Sequence, residues 1–153
     1  MREFRKLLSV LVLVFVLVLM FAPTMLSCRR SCVVCGVEVL PGWEYVRPIV
    51  VEERFGVDLI NYPVRVVLNS SNFDFGKVNP DGSDLRFTDS YGNFLPFYIA
   101  VWDYGRLAVI WVKVYSIPAN SKTLIYMYYG NPGAEPPPYS MDDVFEFMEV
   151  RTI

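Results

Sequence analysis

Between Asn79 and Asp89 the chain sets Asp81, Asp84 and Asp89 beside Asn79 and Ser83, five oxygen-bearing side chains within eleven residues around Gly82. Ca²⁺ takes roughly six to eight hard oxygens from flexible loops of this kind, so the three aspartates are candidate calcium ligands. The spacing is not that of an EF-hand, and Leu85–Thr88 reads as a short strand that turns alternate residues apart. Asp and Asn also cap turns through the backbone, which accounts for the same residues without a metal. The expectation is no cofactor, with calcium as the one ion considered.

A second candidate chemistry is stacking on a sugar ring. Trp43, Tyr45, Trp102, Tyr104, Trp111, Tyr115, Tyr126, Tyr128 and Tyr129 make a heavy aromatic load, and Trp102 with Tyr104 are the candidate ligand platform. The competing demand is the core, because burying one aromatic contributes roughly 4–6 kcal/mol at about 25 cal/mol per Å². Alternation places Tyr126 and Tyr128 on one side of their strand and Met127 and Tyr129 on the other, so at least one side is core.

Catalysis finds little to work with. The chain has no histidine, which removes the commonest general base and metal ligand. Glu44, Asp84, Asp89 and Asp103 are acids near strand ends, yet nothing pairs them as a hydrolytic carboxylate couple, and no Ser-His or Cys-His partnership exists. The chain is read as a non-enzyme. Cys28, Cys32 and Cys35 have the C-x₃-C-x₂-C spacing of radical-SAM cluster ligands, but the large barrel that chemistry needs is missing from the short β-patterned chain that follows. One disulfide plus one free thiol in an oxidising compartment is the plainer reading. Met25-Leu26-Ser27-Cys28 weakly matches a lipid-attachment box, with poor residues at the first two positions.

Stepping outward from these groups, Arg2, Arg5 and Lys6 precede an apolar run, Leu7–Phe21, that Pro23 ends. This is the layout of a secretory signal. As a helix the run would reach about 22 Å, short of the roughly 30 Å hydrocarbon core, while extension to Leu26 would just span it. Cleaved signal and retained anchor therefore both stand, and either puts the body outside the cytoplasm. The mean hydropathy of +0.33 is inflated by this leader. From Gly36 onward nine basic side chains face fifteen acidic ones, a net of −6, which disfavours nucleic acid and anionic lipid as partners.

The body shows period-2 patterning and no sustained helical period. Expected strands are Trp43–Val51, Tyr62–Leu68, Leu85–Thr88, Phe94–Trp102, Leu107–Tyr115 and Lys122–Tyr129. Pro48 marks the first as an edge or broken strand. Val64, Val66 and Leu68 share one face, Leu85 and Phe87 point inward, and Ala108, Ile110, Val112 and Val114 form a wholly apolar face. Asn79-Pro80-Asp81-Gly82 and Asp103-Tyr104-Gly105-Arg106 are turns by residue chemistry. Val144–Val150 could be a last strand, or one that adds to a neighbour's sheet edge. Short links and absent helices argue for an all-β, antiparallel sandwich, jelly-roll-like, behind the N-terminal signal or anchor segment.

Several pieces in order resemble the exported module called domain of unknown function 2341. They are Trp43-Glu-Tyr-Val-Arg-Pro-Ile49, Tyr62-Pro-Val-Arg-Val66, Asp81-Gly-Ser-Asp-Leu-Arg-Phe-Thr-Asp89, Leu95-Pro-Phe-Tyr-Ile99, Trp111-Val-Lys-Val114, Ile117-Pro118 and Tyr126-Met-Tyr-Tyr-Gly-Asn-Pro132, spanning Trp43 to Phe147. The resemblance implies a β-sandwich of surface and secreted proteins, often beside a concanavalin- or laminin-G-like domain, with no established activity. Ala100 stands where that family often has an acidic residue.

The expected organisation is thus a signal or anchor over 1–27, a cysteine-containing linker over 28–42, the sandwich over 43–147 and a terminal stub over 148–153. The expected function is that of an exported, non-catalytic module acting as a structural or adhesive element at the cell surface or in a secreted protein. A carbohydrate-binding module and a strand-exchanging filament subunit are the alternatives. Expected partners are other envelope or surface proteins, an adjacent domain, or glycans. Contact with the membrane would come through the N-terminal segment alone.

Overall fold

The computed structural model describes residues 39–145, all within one compact unit, Val33–Ile153. The leader, the three cysteines and the stub lie outside the described residues, as does most of the proposed last strand. Six strands appear: β1 (Tyr45–Glu52), β2 (Leu59–Asn69), β3 (Arg86–Asp89), β4 (Phe97–Asp103), β5 (Leu107–Ile117) and β6 (Lys122–Tyr129). They form two antiparallel three-stranded sheets, ordered β1-β6-β3 and β2-β5-β4. This is the all-β sandwich expected, with six strands among the described residues rather than the eight of a full jelly roll.

Alternation builds the core. Val66 and Leu68 of β2, Phe97 of β4 and Ala108, Ile110, Val112 and Val114 of β5 are buried, and they face Phe87 of β3 with Ile125 and Met127 of β6. The Phe87 and Phe97 rings meet edge to face at 5.0 Å and tie the two sheets together. Both sides of β6 are buried, since Tyr126 and Tyr128 on its other face are nearly as hidden as Met127.

Two expectations need correcting. The strand placed at Phe94–Trp102 begins at Phe97, because Pro96 precedes it and Phe94 makes only an isolated bridge to Thr88. A register shift between Ile99 and Val101, around Ala100, lets Ile99 and Trp102 both lean on the core although they are three residues apart. Val144 does not open a strand. It ends a single helical turn, α1 (Met141–Val144), whose capping box joins Ser140 and Asp143.

Strands β1 and β2 each form one edge of their sheets, β3 and β4 forming the other two, and each of the first pair carries a proline where it costs nothing. The Glu53 N–H donates to the Ser121 carbonyl (2.9 Å), so odd-numbered residues of β1 bond β6 and Pro48 faces the open edge. The Lys113 N–H donates to the Pro96 carbonyl (2.9 Å), so odd-numbered residues of β5 bond β4, even ones bond β2, and Pro63 also faces outward. Farther along β2 the Asn72 side chain accepts from the Asn69 N–H (2.8 Å) and donates to the Val67 carbonyl (3.2 Å), standing in for a neighbouring strand. Prolines and a side-chain plug are the means by which proteins blunt open edges.

Candidate functional site

Asn69 of β2 pairs with Leu107 of β5, so the loop after β2 and the β4–β5 hairpin lie at one end of the sandwich. A chain of rings runs across that end. Tyr45 stacks on Tyr129 (5.2 Å), Tyr129 meets Phe73 (5.0 Å), Phe73 meets Phe75 (5.1 Å), and Phe75 meets both Trp102 (5.9 Å) and Tyr104 (6.1 Å). Burial pushes the Tyr129 phenol above its ordinary pKa, and the hydrogen bond to Glu44 does the same for Tyr45.

The two expected platform rings come together here, in different states. Trp102 is half-buried. Its Nε1 donates to the Pro80 carbonyl (2.7 Å), and its ring lies so close to Gly82 that a Cβ there would sit 3.1 Å from it. Its ring is therefore held beneath the Asn79–Gly82 turn. Tyr104 is 45 % exposed at the hairpin tip. Beside it opens a cleft of about 540 Å³ lined by Ser70, Ser71, Asn72, Asp74 and Gly105 over buried Phe73 and Phe75. The loop 70–76 was not singled out from the sequence. Its signal was the Asn-Phe-Asp-Phe alternation of residues 72–75, in which the rings anchor inward and the polar residues stay out.

The three aspartates separate by role. Asp84 is wholly buried. Its Oδ1 accepts from the Asn79 N–H (2.9 Å) and its Oδ2 from the Gly130 and Asn131 N–H groups (2.6 and 3.2 Å), while its carbonyl accepts from Trp43 Nε1 (2.6 Å). The carboxylate thus knits the 79–84 turn to the end of β6, and the backbone carbonyl of the same residue adds Trp43. Asp81 is exposed and caps its own turn through the Ser83 N–H (3.0 Å), contacts with Ser83 that hold its carboxyl below the usual range. Asp89 accepts from the Tyr91 and Asn93 N–H groups and from Asn93 Nδ2. Among the described residues no three acidic groups gather where a metal ion could sit, so Asp81, Asp84 and Asp89 are not brought together as a calcium cradle. Turn chemistry accounts for Asp81 and Asp89, and the long-range bonds to Gly130 and Asn131 account for Asp84.

At the opposite end Glu53 does similar work. Its carboxylate accepts from the Phe55, Gly56 and Asn120 N–H groups (2.6, 3.0 and 2.7 Å), and these bonds, that of Asn120 foremost, hold its pKa below the ordinary glutamate value. The rigid loop so formed presents Phe55, 94 % exposed, with Val57, Ile60 and Tyr62 also exposed nearby. A cavity of about 500 Å³ lies against it, walled by Val57, Leu59, Tyr62, Pro63 and Trp111.

With the strand order and the Asp84 hub established, the family resemblance can be tested against the chain. Residues 81–150 match the family Domain of unknown function (DUF2341). The match takes in β3 to β6 and begins at Asp81, so the resembling pieces from Trp43 to Val66 lie ahead of it. No curated protein and no solved structure matches the chain. The DUF2341 segment contains the Asp84 carboxylate and both of its partners after β6, Gly130 and Asn131, together with Trp102 and Tyr104. Among the described residues no helix is long and apolar enough to cross a membrane.

Proposed function

We propose that this chain is an exported, non-catalytic β-sandwich module of a cell-surface or secreted protein, acting as a structural or adhesive element through contacts with other envelope proteins or an adjacent domain. The observation that carries this reading is the apolar end formed by Phe55, Val57, Ile60 and Tyr62. Exposed apolar clusters of this sort mark protein contacts, and Glu53 holds this one rigid at the cost of a buried carboxylate. The basic n-region and apolar run ahead of the body support export. The test is fractionation of cells followed by cross-linking at the envelope. A Phe55→Asp variant should keep its fold and lose its cross-linked partners, and unchanged cross-links would remove the adhesive reading.

A carbohydrate-binding role is the second reading, favoured by the cleft next to the β4–β5 hairpin, where Ser70, Ser71 and Asp74 offer oxygens near the half-exposed Tyr104. Polysaccharide pull-down lost in Tyr104→Ala would support it. The filament reading has less behind it, because Pro48 and Pro63 interrupt two of the four sheet edges, those of β1 and β2, at the positions an added strand would need.

A further inference from the structure

The turn after β2 reads Asn69-Ser70-Ser71, the only Asn-x-Ser/Thr triplet with x other than proline in the chain. Such a triplet is the acceptor of N-linked glycosylation when it lies on a surface turn of an exported protein. Asn69 ends β2, and Ser70, Ser71 and Asn72 are exposed beyond it. The Asn69 Oδ1 accepts from the Ser71 N–H (2.9 Å) and the Asn72 N–H (3.2 Å), an Asx turn, while its carbonyl accepts from the Asn72 and Phe73 N–H groups (3.0 and 2.8 Å). With Oδ1 turned into the loop, the Nδ2 of the same planar amide faces away from it, and it donates to no group among the described residues. Phe73 and Phe75 anchor the loop from below, and an open cleft adjoins it.

We propose that Asn69 is an N-glycosylation site. The proposal rests on the export reading, since the donor, a polyisoprenyl-phosphate-linked oligosaccharide, is used on the outer side of the membrane. In the transfer, Asn69 Nδ2 bonds to the anomeric carbon as that carbon's bond to the lipid phosphate oxygen breaks. The phosphate leaves with the electron pair, and one amide proton passes to the transferase's base. Nothing is oxidised or reduced.

The test is intact mass and peptide mapping of the full chain recovered from envelope and cytoplasmic fractions of its own cells. The expected result is an envelope form heavier by whole sugar residues on the peptide containing Asn69. That addition should vanish in Asn69→Gln and in Ser71→Ala, and persist in Ser71→Thr. The Ser71 pair matters because Asn69→Gln also disturbs the turn, whereas the Ser71 hydroxyl has no hydrogen-bond partner among the described residues. An exported but unmodified chain would overturn the site and leave the export reading standing. A chain confined to the cytoplasm would overturn the export reading and the site with it.

Discussion

Replacing Asp84 should be among the most damaging single changes available in this fold. The carboxylate is fully buried and takes three backbone N–H groups from two segments that are 46 and more residues apart in sequence. In Asp84→Ala all three donors lose their partner. A buried donor left unsatisfied costs roughly 1–3 kcal/mol, and relief of the carboxylate's own desolvation offsets part of the total. The expected loss is about 3–5 kcal/mol, a large share of the roughly 5–15 kcal/mol available to a domain. Asp84→Asn keeps shape and one acceptor, so the carbonyl can still take the Gly130 and Asn131 pair while its amide faces the Asn79 N–H. That variant should cost about 1.5–3 kcal/mol. Asp81→Ala, an exposed turn cap, should cost about 1 kcal/mol or less. Urea unfolding followed by far-ultraviolet circular dichroism and by tryptophan fluorescence measures all three, and Trp43 reports the hub directly through its bond to the Asp84 carbonyl. If Asp84→Ala proves no worse than Asp81→Ala, the hub is not what joins the 79–84 turn to β6, and the reasoning fails.

Gly130 has φ +87° and a Cβ there would sit 2.6 Å from the Tyr45 ring, so Gly130→Ala should destabilise by about 2–4 kcal/mol in the same unfolding assay. The Glu53 pKa is depressed in the fold, so its stabilisation is present above the unfolded value near 4.5 and is lost as pH falls through the folded value. Glu53→Gln should therefore be less stable at neutral pH and show a shallower decline than the parent below about pH 4.5, read from denaturation midpoints across pH. Trp102→Ala should cost about 2–4 kcal/mol, and Tyr104→Ala less than about 1 kcal/mol, because one ring is locked beneath a turn and the other half-exposed. Equal losses in thermal melts would contradict that division.

Much of this architecture was legible before any coordinate. The wholly apolar face of Ala108, Ile110, Val112 and Val114, the inward Leu85 and Phe87, and the edge position of Pro48 all follow from two-residue alternation and a missing N–H. These are local properties, set by stereochemistry along one strand. The Phe94 start failed where Pro96 and the shift near Ala100 broke that local period.

What alternation cannot carry is the distance between segments. It offered Asp81, Asp84 and Asp89 as one oxygen-rich loop, and only the folded chain assigned Asp84 to Gly130 and Asn131 and left the other two to their own turns. It paired Trp102 with Tyr104 as equals, and only packing against Gly82 and Pro80 took the first ring and left the second. Residue type states what a group can bind. Which neighbour reaches it first is decided by contacts between residues remote in sequence, and those exist only once the two sheets have closed on each other.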